Sequence, residues 1–364
     1  MKNLRLRILD RYIMRKFLFT FLASIVMIVG IIIIFDISEH IDDFVSRQAP
    51  FKAIALDFYL NLIPYYVNMF SPLFVFITVI IFTSKMAANS EFIAILSCGI
   101  SFHRLLLPYI LSAFLIFVLS LSLNHFVIPR ANVKRIQFES KYMKSTDNNF
   151  NRNIHYQISP GEFAYVESFS NWNNTAYKFT LERVENNRLV SKISAESAVW
   201  DTTTSSWRLK KYFIREYGEG LEDKIRSGAQ MDTIINLTAD DFKRNKKTVT
   251  TLARNDLNEL IRTQKLRGDA NVYVSLIEKH TRTALPFSAF ILTVMGVALS
   301  SRKKRGGIGI NIGVGIALAF TYILFLRFSE MFVYTGALPP GIALWLPNVI
   351  YAVIAGVLYR MAPK

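Results

Sequence analysis

The chain has 364 residues, 52% of them hydrophobic and only 19% charged, yet its formal net charge is +16, from 43 Lys+Arg against 27 Asp+Glu. A mean hydropathy of +0.28 is too high for one ordinary soluble domain, and the length allows two or three domains. One cysteine, Cys98, excludes an internal disulfide framework and any multi-thiolate metal site.

Crossing the ~30 Å hydrocarbon core of a bilayer takes about 20 apolar residues. The first run of that length is Phe17 to Phe35, which is uncharged. It is too long for the core of a signal peptide, and no small-residue cleavage site follows. Phe58 to Phe82 is a second uncharged run and carries Pro64 and Pro72.

Next comes a short amphipathic segment. In Ser84 to Arg104, Asn89 or Ser90 is placed to cap a helix, Glu91 suits its first turn, and Gly99 is a natural stop. Phe92, Ile93, Ile95 and Leu96 form an apolar stripe. Such a helix either lies at the lipid surface or inserts into a groove on a partner. Interfacial helices are usually basic, and the acid at the head of this one favours the partner.

Leu105 to Val127, with Pro108, is the third apolar run. From Arg130 to about Thr250 the pattern changes to short alternating segments: Phe163 to Phe169, Ala176 to Val184, Arg188 to Trp200, Ser206 to Tyr217 and Asp232 to Leu237. Polar turns at Asn171 to Thr175, Asn186-Asn187, Asp201 to Thr204 and Gly218 to Gly220 separate them. The spacing predicts an antiparallel β-sandwich or open barrel. Alternation leaves two readings open, a passive domain without a ligand and an open β-groove that accepts an amphiphile. Asp256 to Lys265 has a helical pattern and leads towards Thr283 to Ser301, which holds Pro286. Gly306 to Leu326 and Ile342 to Tyr359 complete six runs, the last preceded by the turn Gly336 to Gly341. All are too long for strands and apolar on every face, so they read as membrane helices. The domain division expected is 1–129 for three helices with a short helix near 86–99, 130–280 for the β-domain and its connecting helix, and 281–364 for three more helices.

Charge then orients the chain. The segments before helix one, between two and three, between four and five, and after six sum to +12. They include Lys2, Arg5, Arg7, Arg302 to Arg305 and Lys364, with Asp10 and Glu91 as the only acids. The opposite short segments sum to −3, and residues 130–282 to +7. The positive-inside rule puts the +12 side and both termini in the cytoplasm, and the long segment outside. The excess charge is thus a topology signal, and no nucleic acid is expected.

Chemistry for an enzyme acting alone is missing. No G-x-x-x-x-G-K-[ST], H-E-x-x-H or G-x-S-x-G occurs, and the five histidines are scattered. Gly309 and Gly313 form a G-x-x-x-G that reads as close helix packing.

Three blocks resemble a known family. Ser90-Glu-Phe-Ile-Ala-Ile-Leu-Ser-Cys-Gly-Ile-Ser-Phe-His-Arg-Leu-Leu-Leu-Pro108 is similar to the coupling-helix signature of the lipopolysaccharide export permeases LptF/LptG (YjgP/YjgQ). His280-Thr-Arg-Thr-Ala-Leu-Pro286 resembles the family's start of helix four. Leu338-Pro-Pro, with Ala343-Leu-Trp-Leu-Pro-Asn348, resembles its start of helix six. The layout is similar as well: three helices, a large periplasmic β-domain, three helices.

The resemblance implies a non-catalytic permease subunit of an ABC transporter in the bacterial inner membrane. It would pair with a LptF/LptG-type paralogue and sit on a LptB-like ATPase dimer that uses the ATP, with no cofactor or metal in this chain. The subunit would extract lipopolysaccharide through lateral gates at helices one and five. A β-jellyroll domain would pass it to LptC/LptA-like β-jellyroll proteins in the periplasm. The coupling acid corresponds to Glu91, with Ser90, Phe92, Ile95 and Gly99 shaping its helix. Arg327 is placed for lipid A phosphates, as are Arg130, Lys134 and Arg135. For Arg327 a pair with Glu330 competes with that role. Near the outer end of helix one, where some members carry lysines, this chain has Asp36, Glu39 and His40. Rival expectations are a mechanotransmitter or lipid exporter of another ABC-type envelope complex, and a membrane enzyme modifying envelope lipids.

Overall fold

The computed structural model describes residues 8–143, 152–218, 223–243, 246–269, 271–301 and 307–362. Lys2, Arg5, Arg7, Gly220, Arg302 to Arg305, Gly306 and Lys364, used in the reading of the sequence, lie outside the described residues. The chain divides into two compact units, Met1–Met143 with Leu276–Lys364, and Lys144–Ser275.

The first unit is helical. Its elements are α1 (Ile8–Ser46), α2 (Phe51–Ala53), a π-helical turn (Ile54–Tyr59), α3 (Leu60–Met69), α4 (Ser71–Ala88), α5 (Glu91–Ser97) and α6 (Phe102–Ser122). A second π-helical turn (Leu123–Val127) joins α6 to α7 (Ile128–Tyr142). After the second unit come α11 (Val272–Ser300), α12 (Gly307–Tyr334) and α13 (Pro340–Met361). Six stretches among the described residues are long and apolar enough to cross a membrane: α1, α4, α6 continued through α7, α11, α12 from Gly309, and α13.

Prolines explain where these helices depart from the expected limits. Pro64 cannot donate to the Leu60 carbonyl, nor Pro129 to that of His125. Just before each, the ladder widens, and Leu60 N–H donates to Ala55 O as Ile128 N–H does to Leu123 O. Phe70 interrupts the second run (φ −94°, ψ 1°), and Pro72 sits in the first turn of α4, where its missing N–H is harmless. The second span is therefore Ser71–Ala88 rather than the whole of Phe58 to Phe82. Helix α7 carries the third span's helix on to Tyr142, and the two compact units part at Met143 and Leu276.

Among the apolar clusters that hold the helices, the two largest share α4. One joins Ile13, Phe17 and Phe21 of α1 to Phe74, Val79 and Phe82 of α4 and to Leu105 and Tyr109 of α6. The other joins Phe76 and Ile80 of α4 to Leu292 and Met295 of α11, Tyr322 of α12 and Tyr351 of α13. The α4 span is 72% buried and the α11 span 67%, against 22% for α1 and for α12. Polar staples hold the second cluster. Asn348 Nδ2 donates to Ala284 O at 2.7 Å, Tyr322 donates to Asn348 Oδ1 at 2.8 Å, and Asn311 Nδ2 donates to Ser84 Oγ at 3.2 Å. The G-x-x-x-G expectation is corrected: a Cβ on Gly309 or Gly313 would meet nothing within 4 Å. The close approaches are at Gly315, against Ile80, and at Gly296, where a Cβ would lie 2.8 Å from Val79 Cγ1.

The second unit is one antiparallel sheet in sequential order, β1 (Arg152–Ser159), β2 (Glu162–Ser170), β3 (Thr175–Glu185), β4 (Arg188–Asp201), β5 (Ser206–Glu216) and β6 (Lys224–Thr233). It is followed by α8 (Ala239–Lys243), α9 (Lys246–Val249) and α10 (Arg254–Leu266). The expected inserted all-β domain is present, as a meander in which each strand pairs only with its sequence neighbours. Two strands differ from expectation. β1 went unread although Ile154, Tyr156 and Ile158 alternate. β6 lies mostly before Asp232 to Leu237, overlapping it at Asp232 and Thr233, because as a largely exposed edge strand it offers little apolar alternation beyond Met231.

One face of the sheet is apolar, with Tyr156, Val166, Phe169, Phe179, Trp207 and Leu209 covered by Leu237 and Phe242. Phe242 stacks on Phe169 at 4.8 Å and meets Trp207 edge-on at 5.9 Å, while Trp207 Nε1 donates to Leu237 O at 2.7 Å. Phe242 is 1% exposed, so Phe242→Ala should cost about 3–5 kcal/mol. In thermal unfolding of the full-length protein in detergent, the transition of the β-unit should fall by about 10–20 °C.

Candidate functional site at the end of the helical unit

The segment between α4 and α6 is a short helix held between two turns. After α4 the chain turns through Asn89 and Ser90, and Ser90 takes a left-handed conformation (φ 61°). The seven residues of α5 follow, and Gly99 ends the helix at φ 80°, where a side chain would be strained. Gly99 thus acts as the expected stop. Ser90 occupies the N-cap position, but its side chain makes no capping hydrogen bond; Asn89 Nδ2 instead donates to Glu91 Oε1 at 3.1 Å.

The apolar stripe of α5 mostly faces inward. Phe92 is fully buried in the α1/α4/α6 cluster, its ring 6.2 Å from that of Phe102, and Ile95 and Leu96 pack against the same cluster. Ser90, Ile93, Ala94, Ser97, Cys98 and Gly99 are exposed. Phe92 and Ile95 therefore anchor the helix, and the surface open to a partner is Glu91 with this exposed face.

The ends of three other helices meet here. Arg104, in the first turn of α6, donates to both carboxylate oxygens of Asp10 at 2.7 and 2.6 Å. The Asp10 side chain is 3% exposed and lies in the first turn of α1, where the helix dipole favours an acid. Tyr12 Oη lies 3.5 Å from Glu91 Oε2, and Lys16 donates to Tyr12 at 2.7 Å. Tyr359 of α13 hydrogen-bonds the ring of His103.

The basic residues singled out for phosphate do not form one cluster. Arg130 and Lys134 are exposed one turn apart on α7. Arg135 is buried, paired with Glu139 at 3.1 Å, its guanidinium 5.3 Å from the ring centre of Tyr65. Arg327 pairs with Glu330 at 2.7 Å and remains half exposed. It does not end helix five, since α12 continues two turns to Tyr334. Among the described residues no three His, Cys, Asp or Glu come together as metal ligands.

With this geometry in place, the comparisons with known proteins decide the family. Residues 11–361 match the family described as lipopolysaccharide export system permease LptF/LptG. The chain belongs to that family. No individual curated protein matches it. The LptF/LptG family is one of transport permeases, not of catalysts, and the chain is a multi-pass membrane protein. In this LptF/LptG-family chain the Asp10–Arg104 pair is a contact of the tertiary structure, between residues 94 positions apart. The available signal was that Asp10 is the lone acid among the basic residues that precede the first apolar run.

Phe92 and Ile93 are neighbours with opposite surroundings, which makes a direct contrast. Phe92→Ala should destabilise the helical unit by about 3–5 kcal/mol, whereas Ile93→Ala, at an exposed position, should stay within about 0.5 kcal/mol. Thermal unfolding in detergent distinguishes them.

Proposed function

We propose that the chain is one of two permease subunits in an ABC transporter that extracts lipopolysaccharide from the bacterial inner membrane. A LptF/LptG-type paralogue is its partner, a LptB-like ATPase dimer binds its cytoplasmic face, and LptC/LptA-like proteins receive the lipid in the periplasm. ATP is bound and hydrolysed by the ATPase; this chain holds no cofactor.

The observation that carries the reading is Glu91, an acid at the head of a short helix whose apolar residues are clamped into the bundle. A helix anchored in this way transmits a push rather than rolling aside. A carboxylate there is a fitting partner for a basic groove. Force arriving at Glu91 reaches α1 through Tyr12 and α6 through the chain itself, and the first turns of α1 and α6 are bonded to each other. The low burial of α1 and α12 supports their assignment as lateral gates, since the faces that the chain itself leaves open are available to lipid and to a second subunit. In this mechanism lipopolysaccharide enters between helix one of one subunit and helix five of the other. Closure of the ATPase pair collapses the cavity and drives the amphiphile towards the β-domain. Arg130 and Lys134, exposed together just past the third span, are better placed for anionic headgroups than Arg135 or Arg327, which already have carboxylate partners.

The charge partition puts the termini and the Glu91 segment in the cytoplasm. Cys98 is the sole cysteine and is exposed, so in intact cells a membrane-impermeant maleimide should label it only after the inner membrane is opened. Glu91→Lys should abolish export and uncouple ATP hydrolysis while leaving membrane insertion intact; wild-type export in that variant would sink the assignment. Purified from its own membrane, the chain should bring an ATPase, a paralogue and lipopolysaccharide with it. A different ABC-type envelope complex would bring the ATPase without the lipid.

A further inference from the structure

Helix α1 is 39 residues long, about 58 Å at 1.5 Å per residue, and the chain buries one face of its first half and its far end, leaving the stretch between them more open. Ile13, Phe17, Phe21 and Ile25 are buried on one face, Phe44 is buried at the far end, and no residue from Val26 to Asp43 is buried. At the far end Tyr59 donates to Asp36 at 2.9 Å, and Phe44 meets Phe58 and Phe138. At the near end Asp10 opens the buried face, in register with Ile13 and Phe17, and bonds Arg104.

That bond is a short bidentate link between the first turn of α1 and the first turn of α6, at the end of the α4–α6 segment. Two parallel N–H···O bonds from one guanidinium fix both distance and angle. The Asp10 side chain is 3% exposed and that of Arg104 32%, so burial of the carboxylate reduces, in part, the screening that weakens fully exposed pairs. The second link, Tyr12 to Glu91, is 3.5 Å long and exposed, so it contributes far less. Apolar contacts between α1 and the bundle allow sliding and rotation; a bidentate pair does not.

We propose that Asp10 and Arg104 are positioning residues, locking the first turn of α1 to the coupling segment so that movement of α5 becomes movement of the gate helix. The proposal rests on the transport reading and assigns to this pair the step between docking and gating. Neither side chain need touch the ATPase or the lipid. Without the lock, α5 still docks through Glu91, but its motion is lost in slippage along the apolar face of α1.

The test uses the whole complex from its native membrane, reconstituted with lipopolysaccharide, in three variants: Asp10→Asn, Arg104→Lys, and the exchange Asp10→Arg with Arg104→Asp. The first readout is lipopolysaccharide released per ATP hydrolysed. Asp10→Asn should lower it roughly 5- to 100-fold, the span of an ordinary coupling between sites. Arg104→Lys, which keeps the charge and loses the fork, should lower it less, and the exchange should recover much of the loss. The second readout is the mobility of a spin label on Cys98, at the C-terminal end of α5. It should rise in Asp10→Asn and return in the exchange, whether or not transport is measured. A release ratio within about twofold of wild type in Asp10→Asn overturns the proposal, and so does an unchanged label. If instead the wild-type complex releases no lipopolysaccharide, or Glu91→Lys leaves release intact, the transport reading fails. The label then still reports whether the pair orders the segment.

Discussion

In hydrocarbon an unsatisfied polar group costs several kcal/mol, and the arrangement of this chain follows from that cost. The membrane-spanning runs are nearly free of charge. Several buried polar side chains in or beside them find partners, as in Asn348 with Tyr322 and the Ala284 carbonyl, or Asn68 with Ser120 and Asn124. Charge is concentrated at the ends of the helices, and the half-buried ion pair Asp10–Arg104 sits there.

The same constraint separates gripping helices from free ones. α4 contributes to the two largest apolar clusters of the helices and is largely enclosed, whereas α1 and α12 leave most of their apolar surface open. A bundle built only for stability would enclose its longest apolar helix. Here that helix is buried on one face of its first half and again at Phe44, with the α5 segment beside its first turns.

The β-unit obeys a different rule. Its sheet is apolar on one face, and Leu237 and Phe242 close that face, while the other carries cross-strand ion pairs such as Lys192–Glu182 and Lys211–Glu196. Strands with that alternation, β2 to β5, were legible. β6 was not, because a largely exposed edge strand has little apolar period. β1 carried the period and was passed over for lying in a polar stretch. In the helical unit the runs were legible from length alone, but their limits were not. Pro64 and Pro129 widen the helix ahead of them without ending it, and Phe70 breaks the second run within its apolar stretch.

Composition and periodicity by themselves determined the six spans, the inserted β-domain, the absence of the common catalytic motifs, and Glu91 as the conspicuous acid of the short amphipathic segment. Those are local properties, set by how water and hydrocarbon treat each residue in turn. Only the tertiary structure decided which face of a helix is inward. Phe92 and Ile93 are adjacent apolar residues that one turn of helix sends to opposite environments. Arg130 and Arg135 are both basic, yet α7 exposes one and buries the other against Glu139. Asp10 and Arg104 stand 94 positions apart, and only the packing of α1 against α6 brings their charges into contact.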